Sequence, residues 1–311
     1  MSPRYAYLGP AGTFTEAALR QIVSPDEAEY LPQDDVVAAL DAVRSGEADY
    51  AVVAIENSVE GAVTAVLDTL ATGHPLVLVR EMLVRVSFTL AGASSTTLAD
   101  VARVAAHPHA WAQCRGWLRA NLPAAVHVPS ASNTAAASQF ATGTPTDFDA
   151  ALVPPPAVQH YGLHALAENV ADNGGAVTRF VLIGHPGEVP APTGADKTTL
   201  MVHLPDNEAG ALLTMLEQFA TRGVNLSRIE SRPIGDELGR YSFSIDAEGH
   251  IAEARMGEAL MGLRRVCPVV RFLGSYPRAD AAPNDIHQRT TEAAYADART
   301  WLDTLRAGGT G

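Results

Sequence analysis

Thr178 and Arg179 stand where the glycine-rich "DNGGAV" ends and the apolar run "FVLIG" begins. A guanidinium is a permanent cation that can hold a carboxylate through two parallel hydrogen bonds. A hydroxyl beside it can donate to a substrate oxygen. A strand-initiating Thr followed by a surface Arg would look the same, so the pair gains meaning only from its company. Three further stretches supply that company: "YLGPAGTFTEAAL", "AIENSVEGAV" and "VPSASNTAAA". Each reads as a strand, then a polar loop, then a helix start. In the first, Gly9 and Gly12 permit a tight turn, and Thr13 and Glu16 have the spacing of a capping box. In the second, Ile55 closes the strand and Glu56, Asn57 and Ser58 crowd the turn. In the third, Ser130, Ser132, Asn133 and Thr134 precede the helix. Free N–H groups and the helix dipole favour anions at such ends, and open α/β folds bind ligands at the carboxyl ends of their strands. The set predicts a pocket for a small molecule bearing carboxylates, with Arg179 either gripping one of them or bracing the loop.

Other motifs narrow the chemistry. "AAHPHAWAQC" brings His107 and His109 two residues apart with no third ligand nearby, which predicts no metal. Gln113 follows in a helix, where its amide is a cap, a core contact or a substrate donor. No Lys-Ser or Lys-Thr follows the glycines of "GPAGTF", no G-x-G-x-x-G precedes a helix, and no G-x-S-x-G occurs. Nucleotide cofactors and a hydrolase triad therefore lack support. Further along, Asp206 or Asn207 is placed to cap a helix in "DNEAGALL". Glu230, Ser231 and Arg232 end a strand against Pro233 in "IESRP", as a charge-blunted edge strand would. The alternative reading is an amino-acid site, with Glu230 holding an ammonium and the N–H groups of Gly210, Ala211 and Leu212 holding the carboxylate.

The elements that must position these residues fall into two patterns. Up to Gly184, short Val/Ile/Leu runs alternate with helical stretches, which predicts an α/β sheet of parallel strands buried on both faces. "HPGEVPAPTGADK" (185–197) is rich in Pro and Gly without period and reads as a linker. Residues 198–277 then read β-α-β-β-α-β, a ferredoxin-like order. The first helix of this part places Leu212, Leu213, Leu216, Phe219 and Ala220 on one face, and the second buries Met256, Leu260 and Leu263. After Pro277 the chain turns polar, and residues 278–311 read as a partly helical tail.

Composition sets outer limits. The chain has 311 residues, 47% hydrophobic and 18% charged, with 22 Lys and Arg against 35 Asp and Glu and a formal charge of −13. That balance repels phosphate backbones and anionic membranes, so neither nucleic acid nor membrane is an expected partner. Cys114 and Cys267 form no C-x-x-C and read as two buried thiols in a reducing compartment. No signal-like or membrane-spanning run occurs, which points to the cytoplasm.

Taken together and in order, "YLGPAGTFTEAAL", "AIENSVEGAV", "HPHAWAQC", "SNTAAAS", "YGLHALAENVADN", "TRF", "GAL", "ESRP" and "VRFLGSYP" resemble prephenate dehydratases of the monofunctional type with a C-terminal ACT regulatory domain. No chorismate mutase segment precedes them. The resemblance implies a two-lobed, periplasmic-binding-protein-like catalytic domain over residues 1–184 and a phenylalanine-sensing ACT domain over 198–277. It implies a homo-oligomer assembled as a dimer of dimers, and no cofactor. It implies Thr178 as the essential catalytic residue, with Glu56, Asn57 and Gln113 beside it. Thr13, Ser58, Asn133, Thr134, Arg179 and Phe180 are expected at the substrate, and Asn207, Gly210, Ala211, Leu212, Glu230, Ser231 and Arg232 at phenylalanine. Two positions depart from the family pattern: Ala176 stands where Asn is usual, and Ala106 where Ser is common. Arogenate dehydration and non-catalytic amino-acid sensing are the other functions this pattern admits.

Overall fold

The computed structural model describes residues 2–59, 61–143, 146–205, 208–234 and 241–310. The chain divides into two compact units, one made of residues up to Leu70 together with Met82–His185, the other of Ala71–Glu81 and Pro186–Gly311. The first unit is built on two mixed sheets, to which the strand Val77–Arg85 contributes from Met82 onward, its earlier residues being grouped with the second unit. In strand order, β1 (Arg4–Leu8), β2 (Glu29–Gln33), β3 (Tyr50–Asn57), the two-residue β4 (Gly61–Ala62) and β5 (Val77–Arg85) come first. Then follow β6 (Thr89–Gly92), β7 (Arg103–Ala106), β8 (Val126–Pro129), β9 (Ala150–Val153), β10 (His164–Ala167) and β11 (Val177–Gly184). One sheet has the order β2-β1-β3-β11-β5 with β4 on β3, the other β10-β6-β9-β7-β8. The chain therefore leaves the first sheet between β5 and β6 and returns between β10 and β11. These crossovers are tied to each other, since Val86 N–H donates to the Ala176 carbonyl at 2.8 Å and Val170 N–H to the Phe88 carbonyl at 2.9 Å.

The expectation of parallel strands holds only in part. β1 pairs in parallel with β2 and β3, and β7 with β8 and β9, but β11 runs antiparallel to β3, and β6 antiparallel to β9 and β10. The antiparallel strands flank the crossovers, where the returning chain enters each sheet against its neighbours. The run "LVLVREMLVRVSFTLAG" is two strands in different sheets rather than one, because Val86, Ser87 and Phe88 form the crossing. Val86 and Phe88 nonetheless stay buried in the core of the second lobe with Leu90, Val104, Leu118 and Leu152.

The helices are α1 (Phe14–Leu19), α2 (Val36–Arg44), α3 (Thr64–Ala71), α4 (Pro108–Gln113), α5 (Arg115–Asn121), α6 (Ala135–Ala141) and α7 (Pro155–His160). The stretch "AWAQCRGWLRANL" is divided between α4 and α5 at Cys114, whose backbone is not helical (φ −111°, ψ 7°).

In the second unit, β12 (Asp196–His203), α8 (Ala211–Ala220), β13 (Leu226–Pro233), β14 (Tyr241–Glu248), α9 (Ala254–Val266) and β15 (Val269–Pro277) follow the ferredoxin-like order. The sheet order is β13-β14-β12-β15, so β13 is an edge strand. Leu200, Val202, Phe243 and Ile245 pack with Met215 and Phe219 of α8 and with Met256, Ala259 and Leu263 of α9. The buried stripe of α8 differs from the expected one: Met215 and Phe219 face the core, while Leu212 and Leu213 are exposed in the first turn. Gly210 is the N-cap of α8, in the left-handed region with φ 91°; Asp206 and Asn207, the expected caps, lie outside the described residues.

Residues 71–81, read from the sequence as part of the first domain, group instead with this unit. Glu81 is held there by Lys197 Nζ, at 3.1 and 3.2 Å from its two oxygens, and by the backbone N–H of Ala279 at 2.8 Å. Asp196 and Lys197, assigned to the linker from the sequence, already belong to β12. The tail forms α10 (Glu292–Arg306), and Glu292 accepts the backbone N–H of Ala254 at the start of α9 at 2.6 Å. Among the described residues, no helix is long and apolar enough to cross a membrane.

The sheet carries a polar cluster around Asp246 in place of apolar packing. Asp246 is fully buried and accepts from Arg228 Nε at 2.8 Å, Arg228 Nη2 at 3.2 Å and Thr199 Oγ1 at 2.7 Å. Removing the carboxylate strands a buried guanidinium, which is more costly than losing the pair's attraction. Asp246→Ala is therefore expected to lose about 3–5 kcal/mol of stability, read as a lower urea midpoint; an unchanged midpoint would contradict the assigned burial.

Candidate active site

Register places the central pair. β3 and β11 align Asn57 with Thr178 and Glu56 with Arg179. Asn57 Nδ2 donates to Thr178 Oγ1 at 2.8 Å, while Asn57 Oδ1 accepts the N–H of Val59 at 2.8 Å. The second bond fixes which way the amide faces. Because the Thr178 oxygen accepts from Asn57, its own proton is directed to another acceptor. Thr178 is 7% exposed, so that proton is delivered into a confined space.

That space is a cavity of about 350 Å³ between the two sheets of the first unit. Thr178, Phe180, Asn57, Gln113, Asn133 and Thr13 line it, together with His107, His109, Ser132 and the rings of Phe14 and Phe88. An adjoining recess of about 760 Å³ shares Asn57, Val63, His109 and Gln113 and extends to Asp172 and Asn173. The structure thus gathers Thr178, Asn57, Gln113, Thr13, Asn133 and Phe180, which are far apart in sequence, around one cavity. The described residues lining the smaller cavity include no Asp, Glu, Lys or Arg. Its polar atoms are hydroxyls, amides and imidazoles.

Four expected site residues are placed elsewhere. Arg179 does not line the cavity; its side chain, 7% exposed, lies 3.6 Å from Glu56 Oε2. Alternation along β11 explains this, since Thr178 and Phe180 face the cavity while Arg179 does not. Glu56 is engaged by the same pair and is likewise absent from the lining. Both Glu56 and Asn57 belong to β3 itself, so the strand ends two residues later than Ile55. Ser58 is exposed and serves the backbone: its Oγ accepts Val177 N–H and its N–H donates to the Val177 carbonyl, both at 2.9 Å. Thr134 is fully buried, and its Oγ1 has no hydrogen-bond partner, as is also true of Asn133 Oδ1. Buried polar atoms without partners are uncommon and costly, and Asn133 is also one of the residues that line the cavity.

Thr13 is the N-cap of α1, but its hydroxyl is engaged on both sides, accepting Glu16 N–H at 3.3 Å and donating to the Leu8 carbonyl at 3.2 Å. Glu16 reaches past the capping-box position to the N–H of Gly12, at 2.5 Å. Gly12 has φ 83°, and a Cβ there would stand 3.0 Å from the Cα of Ala157, so glycine is required at this turn.

Ala106 and Ala176 are both buried in the hydrophobic core of the second lobe. Neither lines the cavity, so the departures at these positions leave its described lining intact.

The sequence alone presents His107 and His109 only as poor metal ligands. Both line the cavity, with rings edge to face at 4.9 Å, and His107 Nδ1 accepts the N–H of His109 at 3.3 Å as the N-cap of α4. Their place directly after β7, at a strand's carboxyl end, was the available signal. Among the described residues, no three His, Cys, Asp or Glu side chains gather as a metal site.

The expected phenylalanine residues occupy two elements of the second unit. Gly210, Ala211 and Leu212 begin α8. Glu230, Ser231 and Arg232 lie on β13, opposite Ser244, Phe243 and Ser242. Asn207 lies outside the described residues.

Two α/β lobes joined by paired crossovers, with a polar cavity between them, define a periplasmic-binding-protein-like enzyme domain. Residues 5–188 match the family described as prephenate dehydratase. A prephenate dehydratase from Amycolatopsis methanolica is 46% identical over 306 residues, covering 98% of each chain. The solved structure of a prephenate dehydratase from Arthrobacter aurescens in complex with L-Phe superposes with a TM-score of 0.93 at 50% identity, covering 98% of this chain and 99% of that one. A structure described as a quorum-quenching acylase, GqqA, is also similar, with a TM-score of 0.79 at 31% identity, covering 88% of this chain and 97% of that one. The chain belongs to the prephenate dehydratase family.

Neither thiol is poised for chemistry. Burial pushes the Cys114 thiol up to about 12, with the charge of Asp172 adding to the effect, and burial also raises that of Cys267. A thiol with a raised pKa stays protonated and unreactive at mild alkaline pH. Iodoacetamide at pH 8 should therefore leave both cysteines unmodified in the native protein and alkylate both after denaturation. Rapid modification of the native protein, seen by mass spectrometry, would contradict their burial.

Proposed function

We propose that this chain converts prephenate to phenylpyruvate, with carbon dioxide and water as the other products, and that phenylalanine regulates it through the second unit. The observation that carries the first half is the fixed Asn57–Thr178 hydrogen bond, which leaves the Thr178 proton for the cavity. In prephenate, the C–C bond to the ring carboxylate breaks and releases carbon dioxide, its electron pair enters the ring, and the ring hydroxyl departs with its bonding pair as aromaticity forms, becoming water with one proton taken up from solvent. The protein must orient the ring and assist the hydroxyl. Phe14, Phe88 and Phe180 give the ring apolar walls. Thr178 donates to the leaving hydroxyl, and the amide of Asn57, donating to the Thr178 oxygen, makes that hydroxyl a better donor. Asn133, which lines the same cavity, stands beside the substrate. Gln113, His107 and His109, which line the same cavity, donate to the carboxylates.

The charge pattern supports the same reading. A departing carboxylate gripped by a cation would be held back, whereas a low-polarity site favours loss of its charge. The described lining of the smaller cavity includes no Lys or Arg, and Arg179, next to Thr178 in the chain, is paired with Glu56. Nor does that lining include a carboxylate to receive an ammonium, which favours the keto acid over arogenate. Acyl transfer would require a base to take the proton of a nucleophile; here the Thr178 oxygen is already an acceptor from Asn57, which suits a donor better than a nucleophile.

The second unit is proposed as an ACT domain, with Gly210, Ala211, Leu212, Glu230, Ser231 and Arg232 at phenylalanine. The Arthrobacter aurescens protein, solved with L-Phe and similar over nearly the whole chain, supports an amino-acid effector. The assembly is proposed as a dimer of dimers in the cytoplasm.

Thr178→Val, which keeps the shape and removes the donor, is expected to lower kcat by about 10²- to 10⁴-fold with little change in KM. A variant that retains most of its kcat would refute the donor role. Arg232→Ala should narrow the ratio of turnover with and without phenylalanine. An unchanged ratio would remove Arg232 from the effector site.

A further inference from the structure

Asp172 does no chemistry in the reaction just described, yet it ties together the two segments that supply Gln113 and Thr178. Its backbone N–H donates to the Gln113 carbonyl at 2.8 Å. Its two carboxylate oxygens accept the N–H groups of Gly116 at 2.7 Å and Trp117 at 2.8 Å. Those N–H groups lie in the first turn of α5, where no carbonyl of the same helix can receive them. A carboxylate accepting two backbone donors makes strong, charge-assisted bonds. One residue thus grips the break between α4 and α5 at three points, and Gln113 is the last residue of α4 at that break. Gly116 permits the approach: a Cβ there would stand 2.8 Å from Asp172 Oδ1.

Asp172 also opens the six-residue approach to Thr178, and that approach is held at successive points. The Asn173 amide oxygen accepts Gly175 N–H at 3.0 Å, the Ala176 carbonyl accepts Val86 N–H at 2.8 Å, and Val177 exchanges two bonds with Ser58. Between the amide of Gln113 and the hydroxyl of Thr178, both of which line the cavity, every described step is a short run of chain anchored at each end.

We infer that Asp172 is a positioning residue that sets the Gln113 amide at its working place relative to the Thr178 hydroxyl. The inference rests on the proposed dehydration and on the role given there to Gln113. An ordinary helix cap would act on stability and on all side chains of the domain alike. A positioning residue acts through one partner, and that difference is measurable, because residues that work as a unit lose activity non-additively.

The test is a double-mutant cycle with prephenate as substrate, comparing the parent, Asp172→Ala, Gln113→Ala and the double variant, with thermal midpoints alongside. Asp172→Ala is expected to lower kcat by about tenfold to a hundredfold, the scale of a misplacement near 1 Å, with KM little changed. In the Gln113→Ala background the same substitution should cause no further loss of kcat. Losses that multiply would overturn the inference while leaving the role of Gln113 standing. Full turnover by Gln113→Ala would instead remove the role of Gln113, and the positioning role with it. Gly116→Ala reaches the same contact from the other side. It keeps the Asp172 carboxylate but displaces it, so it should reproduce the loss and its dependence on Gln113 even if Asp172→Ala fails to fold. A Gly116→Ala enzyme with parental kcat would also overturn the inference.

Discussion

The register between β3 and β11 is the constraint on which the site depends. Setting Asn57 opposite Thr178 brings an amide donor to a hydroxyl 121 residues away in sequence, at 2.8 Å. A shift of one residue would turn Thr178 away from the cavity and put Arg179 in its place, because side chains alternate across a strand. The surrounding bonds all resist that shift. Ser58 holds Val177 through both of its backbone groups, Val59 fixes the Asn57 amide, and Arg179 meets Glu56 on the opposite face. The Arg179–Glu56 pair is thus better understood as a register lock than as a substrate clamp. Its guanidinium is almost fully buried, where an arginine needs a partner.

Part of this is legible in the residues. Thr178 gains meaning from three other loops at strand ends, and Asn133 belongs to one of them. Gln113 stays open between a cap, a core contact and a donor until the family resemblance places it, and Gly12 reads as one of two glycines that permit a tight turn. What stayed hidden depended on contacts between distant segments. Nothing local distinguishes Glu56, which pairs with Arg179, from Asn57, which faces the cavity; only the partner strand separates them. Ser58 has the chemistry of a substrate ligand but is used by the backbone of Val177. The apolar run from Leu76 to Gly92 reads as one strand because Val86 and Phe88, at the crossing, are as buried as the strands on either side. In α8, Leu212 and Leu213 are apolar by type but lie in the first turn, beyond the reach of the sheet.

The second unit shows a different use of polarity. Its helix-covered face is packed from Leu, Val, Ile, Phe and Met, while Asp246, Arg228, Thr199, Ser244 and Tyr276 meet inside the sheet through hydrogen bonds. Such a cluster restricts which strand neighbours can form, since its hydrogen bonds are made in only one alignment. Hydrophobic patterning found the elements of this unit, because their burial is periodic. The polar cluster has no such period and could not be read in advance.

The grouping of residues 71–81 with the second unit bears on how such a protein could be taken apart or assembled by recombination. The two units are not consecutive beads on a string: the chain visits the second, returns to the first, and visits the second again. A break within residues 186–195 would not yield a clean first half, since that half would keep Glu81 without Lys197 and would keep Leu76 and Leu78, both nearly fully buried here, without their surroundings. Modules joined this way resist shuffling. A gene fusion that borrows the second unit must also carry a short inner stretch of the first, so the two parts are more readily inherited together than exchanged.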